Sequence, residues 1–62
     1  MDVRDNARLD LLDAIRQLVS TRRQLINLAQ TAPEYNAVEE TYWLAVSDHY
    51  RARQTAKYLG II

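Results

Sequence analysis

The stretch Gln30-Thr31-Ala32-Pro33-Glu34-Tyr35-Asn36-Ala37 holds the only proline of the chain, and its reading decides the fold. Proline disfavours helical geometry in the residue before it, so a helix arriving from the N-terminal side stops near Gln30 or Thr31. Two start signals for a second helix follow at once. Thr31-Ala32-Pro33-Glu34 has the form of a capping box with proline in the first turn, and Asn36-Ala37-Val38-Glu39 is a second box-like segment. Either gives a short connection, and short connections between helices make antiparallel neighbours. The start of the second helix stays open between Pro33 and Ala37.

Outward from this stretch nothing breaks a helix. Asn6 to Thr31 and Ala37 to Leu59 contain neither glycine nor proline, and the single glycine is Gly60. The reading is one all-α domain over residues 1–62, a two-helix antiparallel hairpin with a helix over about residues 5–31, a turn over about 31–36 and a helix over about 34–59. Asp2 and Asp5 stand where a helix N-terminus favours caps and negative charge. Gly60 is placed for a left-handed C-terminal cap, with Ile61 and Ile62 able to fold back as its apolar contact.

The first segment carries Leu11, Ile15, Leu18, Arg22, Leu25, Ala29 and Ala32 at alternating steps of four and three, flanked by Leu12, Val19 and Ile26 at intervals of seven. The second carries Tyr35, Val38, Tyr42, Ala45, His49, Ala52, Ala56 and Leu59, with Trp43, Val46 and Tyr50 beside them. Both have the wide apolar face of a bundle helix. Alanines in the second half of the second helix permit close approach. Folding about Thr31 to Pro33 brings Arg22 and Arg23 near Glu39 and Glu40, and Asp10 and Asp13 near Arg51, Arg53 and Lys57, which also suits both helix dipoles.

Each helix therefore has more than one apolar seam, and a lone hairpin buries only one of them. The expected solution is a homodimer in which two hairpins pair into a four-helix bundle. A chain of 62 residues buries only about 60% of its unfolded surface and needs a staple, and with no cysteine and one histidine the remaining staple is association. The expected dimer core is Leu11, Leu12, Ile15, Leu18, Val19, Leu25, Ile26, Val38, Tyr42 and His49.

Composition narrows the function classes. Eight basic residues balance eight acidic ones, so no net field draws the chain to nucleic acid or anionic lipid. The longest apolar run, Trp43 to Val46, is far short of a membrane span, and Met1-Asp2-Val3-Arg4-Asp5 has no apolar signal region. A cytoplasmic setting is expected. No cofactor or metal is expected, because one histidine without cysteine makes no zinc site.

Four groups of residues bear on function. His49 is expected opposite Ile15 as a partly buried structural histidine, since no carboxylate is placed to make it a base. Arg22 stands where the pattern wants leucine; stacking on Tyr42 or pairing with a second subunit accounts for it. Trp43, Val46 and Tyr50 share one face with Arg53 at its rim, in the manner of interface anchors, and form the expected partner-binding surface. Arg51, Arg53 and Lys57, interleaved with Tyr50 and Tyr58, supply an alternative reading as an RNA-binding hairpin dimer, against which Asp10 and Asp13 stand as neutralising neighbours.

Arg8 to Leu25, with Leu9, Asp10, Asp13 and Arg23, resembles the first helix of the all-helical chorismate mutases over less than a third of the chain. The third helix and the lysine that complete that family's active site have no counterpart here. Ser20 and Ser47 lack a base partner, and there is no glycine-rich phosphate loop. The reading is a non-enzymatic protein–protein interaction module, acting as a regulator, inhibitor or structural adaptor.

Overall fold

A computed structural model of the chain describes residues 2–62. Met1, quoted above with the charged N-terminus, lies outside the described residues. Two α-helices, α1 (Val3–Asn27) and α2 (Tyr35–Tyr58), pack along their length as an antiparallel hairpin measuring 44 × 15 × 15 Å.

The C-terminal end behaves as the sequence leads one to expect, whereas α1 starts at Val3, about two residues earlier than expected, without a side-chain cap. Asp2 is the N-cap of α1 through its backbone, its carbonyl accepting from Asn6 N–H at 3.0 Å, while its side chain makes no capping bond. Asp5 lies in the first turn, where the helix dipole favours negative charge, and pairs with Arg8 at 3.1 Å. At the C-terminus Gly60 takes φ +74°, Gly60 N–H donates to Lys57 O at 3.1 Å and Ile61 N–H to Ala56 O at 2.8 Å. These two bonds define a Schellman cap, and only glycine adopts that φ without strain. Ile61 is partly buried and Ile62 stays exposed.

The link differs from the expectation. α1 ends at Asn27, about four residues before Pro33 would force it to, and the backbone turns extended at Leu28. Proline limits how far a helix can run without fixing where it stops. A longer α1 would leave two or three residues to reverse direction across the roughly 8–10 Å between packed helix axes. Instead residues 28–34 make successive tight turns, with Ala32 N–H donating to Ala29 O at 2.9 Å and Tyr35 N–H to Ala32 O at 3.0 Å. Leu28 and Ala32 become partly buried at this closed end. α2 then begins at Tyr35, midway between the Pro33 and Ala37 candidates. Neither capping box forms: Glu34 is the N-cap and makes no side-chain cap bond.

The seam between the helices corrects the reading of α1. Its positions are Ala7, Leu11, Ala14, Leu18, Thr21, Leu25 and Leu28, all buried or partly buried. Leu11, Leu18 and Leu25 are where the sequence places them. The alternate positions are Ala7, Ala14 and Thr21, and not Ile15, Arg22 and Ala29, all three of which are exposed. On α2 the expected stripe from Tyr35 to Leu59 is the observed one, with Ala45 buried and Ala56 0% exposed. Small residues on both sides let the helices approach closely, which gains dispersion contacts between backbones that bulky side chains would hold apart. Thr21 tolerates burial because its hydroxyl donates back to Gln17 O at 2.8 Å, with Leu18 O also within reach at 3.2 Å.

Candidate interaction surface

The seam leaves two open sides, and helical periodicity assigns residues to each. At about 100° per residue, the positions of α1 just C-terminal to Ala14 and Leu18 turn to the same side as those of α2 just C-terminal to Ala45 and His49. The opposite side is fixed independently. Asp10, Asp13 and Gln17 of α1 and Asp48, Arg51 and Thr55 of α2 line one groove of about 400 Å³ over the seam residues Ala7, Ala14 and Ala52. This groove is lined by polar and charged side chains, with Leu44 and Tyr58 exposed on the same flank of α2, seven residues to either side of Arg51.

The other side is apolar. Leu12, Ile15, Val19 and Ile26 of α1 turn toward it, with 41% exposure at Ile15 and 69% at Ile26. Val46, Trp43 and Tyr50 of α2 lie on the same side, Val46 partly buried and Trp43 and Tyr50 59% and 63% exposed. Trp43 stands edge-on to Tyr42, ring centroids 5.3 Å apart at 63°, a geometry favoured by the ring quadrupoles. Shallow hollows along α1 between Ile15, Val19 and Ile26 are rimmed by Arg16, Arg22 and Arg23. The residues expected as a dimer core and those expected as a partner-binding surface thus occupy one continuous face. Leu11, Leu18, Leu25, Val38, Tyr42 and His49 form its floor at the seam and are partly buried.

Packing is inverted relative to an ordinary core. Among the described residues the buried ones are four alanines and a threonine, no large side chain is fully buried, and many bulky apolar residues are exposed. The misplaced stripe of α1 has the same origin. Ala7, Ala14, Thr21 and Leu28 repeat at intervals of seven alongside Leu11, Leu18 and Leu25, a signal present in the sequence but outweighed there by the larger Ile15.

The charged candidates separate. Arg51 lines the polar groove with Asp10, Asp13 and Asp48, whereas Arg53, two residues on and so on the other flank of α2, does not. Lys57 follows Arg53. The three cations named for RNA binding do not share a patch. Among the described residues the one ion pair is Arg8 with Asp5, so the opposite charges expected to meet across the hairpin do not close to contact. Arg22 is exposed, with Thr21 in the seam instead, and no cation–π pair to Tyr42 forms among the described residues. His49 is partly buried beside the apolar floor. Among the described residues no group of three or more His, Cys, Asp or Glu side chains is arranged to hold a metal, and no helix is long and apolar enough to cross a membrane. No protein-family model matches the chain, and neither the curated proteins nor the solved structures give a match.

Proposed function

We propose that the chain is a non-enzymatic interaction module whose apolar face binds protein, in the first place a second copy of itself, so that two hairpins complete a four-helix bundle in a cytoplasmic setting. The inverted packing carries this reading: alanines lie inside, while Leu12, Ile15, Val19, Ile26, Trp43 and Tyr50 gather on one exposed side. Its scale supports the reading as well. The hairpin exposes 4966 Å² at 7.2 kDa. A compact monomer of that mass exposes about 4,100 Å². The excess, roughly 850 Å², is close to the area one partner contributes to a standard interface.

Light scattering over a dilution series, with circular dichroism on the same samples, tests the proposal. A dimer whose helicity falls as it dissociates is expected, since folding and association are then one event. Trp43→Ala combined with Tyr50→Ala should raise the dissociation constant by a hundredfold or more, as loss of two aromatic anchors does at interfaces. A fully helical monomer at every concentration, or a dimer indifferent to both substitutions, would refute the assignment of this face.

A further inference from the structure

The outer stripes of the apolar face have an internal symmetry that specifies how a second copy sits on it. On α2 the stripe is Glu39, Trp43, Val46, Tyr50, Arg53 and Lys57, at steps of four, three, four, three and four. Such a pattern is symmetric about position 48. Run antiparallel to itself, it sets Glu39 against Lys57, Trp43 against Arg53, and Val46 against Tyr50. Each pairing is complementary: opposite charges, a guanidinium on an indole face, and an aliphatic side chain on a ring. On α1 the stripe Arg8, Leu12, Ile15, Val19, Arg22 and Ile26 has the same steps and is symmetric about position 17. Its reversal sets Ile15 against Val19 and puts each arginine opposite an apolar residue, so no like charges face each other.

The hairpin register brings the two centres together. Counting from the link places Thr21 level with Tyr42 and position 15 of α1 level with position 48 of α2. The centres of symmetry therefore differ by about two residues, or roughly 3 Å along the long axis. One twofold axis across the hairpin serves both helices, as an isologous interface requires. A parallel arrangement, with the axis along the bundle, lays α1 of one copy over α2 of the other. It joins Arg22 to Glu39 but also drives Arg8 against Arg53 and Lys57.

Resting on the reading of this face as a self-association surface, we infer that the second copy binds antiparallel, α1 on α1 and α2 on α2, with Glu39 of each copy paired to Lys57 of the other and Trp43 stacked on Arg53.

Charge reversal in the full chain tests the geometry. Glu39→Lys and Lys57→Glu should each raise the dimer dissociation constant by about tenfold, because a twofold makes every change act twice. The double reversal should return it to within about threefold of the starting value. Positions 39 and 57 lie about 27 Å apart on one helix, so restoration arises only across the interface. An intact dimer in which the two effects simply multiply would overturn the antiparallel pairing while leaving the interaction face standing. A starting protein that never dimerises would overturn both. A spin label at Asn36→Cys, clean because the chain has no cysteine, reads the geometry independently. The antiparallel dimer separates the two labels by about 33 Å, and a separation under about 20 Å would refute it.

Discussion

Exchanging the roles of two adjacent residues tests the seam most directly. Ala14 is 8% exposed and belongs to the seam, while Ile15 is 41% exposed and points out of it. Ala14→Leu inserts three carbons between two helices held close by alanine and threonine. Overpacking of this kind costs about 1–3 kcal/mol. The difference in helix propensity between alanine and leucine is only a few tenths of that and does not decide the outcome. A chain of this length has a total stability of roughly 3–9 kcal/mol, so a loss near 2 kcal/mol is a large part of it. With a urea slope near 1 kcal/mol/M for so small a domain, the unfolding midpoint should fall by about 2 M. Ile15→Leu keeps volume and polarity at a position outside the seam and should move the midpoint by less than about 1 M. Urea titrations followed by circular dichroism, at one fixed protein concentration because association adds to stability, measure both. A normal midpoint for Ala14→Leu would show that nothing packs against Ala14 and refute its place in the seam.

Two further substitutions probe single features. Gly60→Ala meets open space around the added methyl but must hold φ near +74°, so it should cost about 1 kcal/mol and lower the melting temperature by several degrees, with fraying confined to the last turn of α2 in amide exchange. Thr21→Val keeps the shape of a buried side chain whose hydroxyl bonds only to carbonyls of its own helix, so stability should change by less than about 1 kcal/mol; a loss above 2 kcal/mol would show that the hydroxyl has a partner elsewhere.

The parts of the fold that were legible in the sequence are those governed by local chemistry. Pro33 without a second breaker gave two helices and a reversal, Gly60 followed by Ile61 gave the C-terminal cap, and the stripe from Tyr35 to Leu59 gave the inner face of α2. The end of α1 was not legible, because it depends on the gap the link must span and on Leu28 and Ala32 finding cover. Ile15 and Arg22 were misplaced for a different reason. A hydrophobic pattern ranks positions by how much water they want to leave, whereas a hairpin seam selects positions by how closely two backbones can approach. At Ala14 and Thr21 those criteria disagree, and the second decides. Trp43, Val46 and Tyr50 share a stripe by helical spacing alone, but their union with Leu12, Ile15, Val19 and Ile26 in one face was not visible, since it requires the rotation of each helix about its own axis.

By itself, then, the sequence determined two antiparallel helices, their polarity and the C-terminal cap at Gly60, all set by interactions among residues a few positions apart. Only the tertiary structure decided which stripe of α1 faces α2. With that rotation fixed, small residues fill the inside, the cations at Arg51 and Arg53 fall on opposite flanks, and Leu12, Ile15, Val19, Ile26, Trp43 and Tyr50 come to one side, while Leu44 and Tyr58 stay on the flank of Arg51. The physical reason is that a helix with several apolar stripes has several ways to pack. The choice among them is made by the surface of the partner helix, where Ala45, Ala52 and Ala56 reward the close approach that Ala7, Ala14 and Thr21 allow.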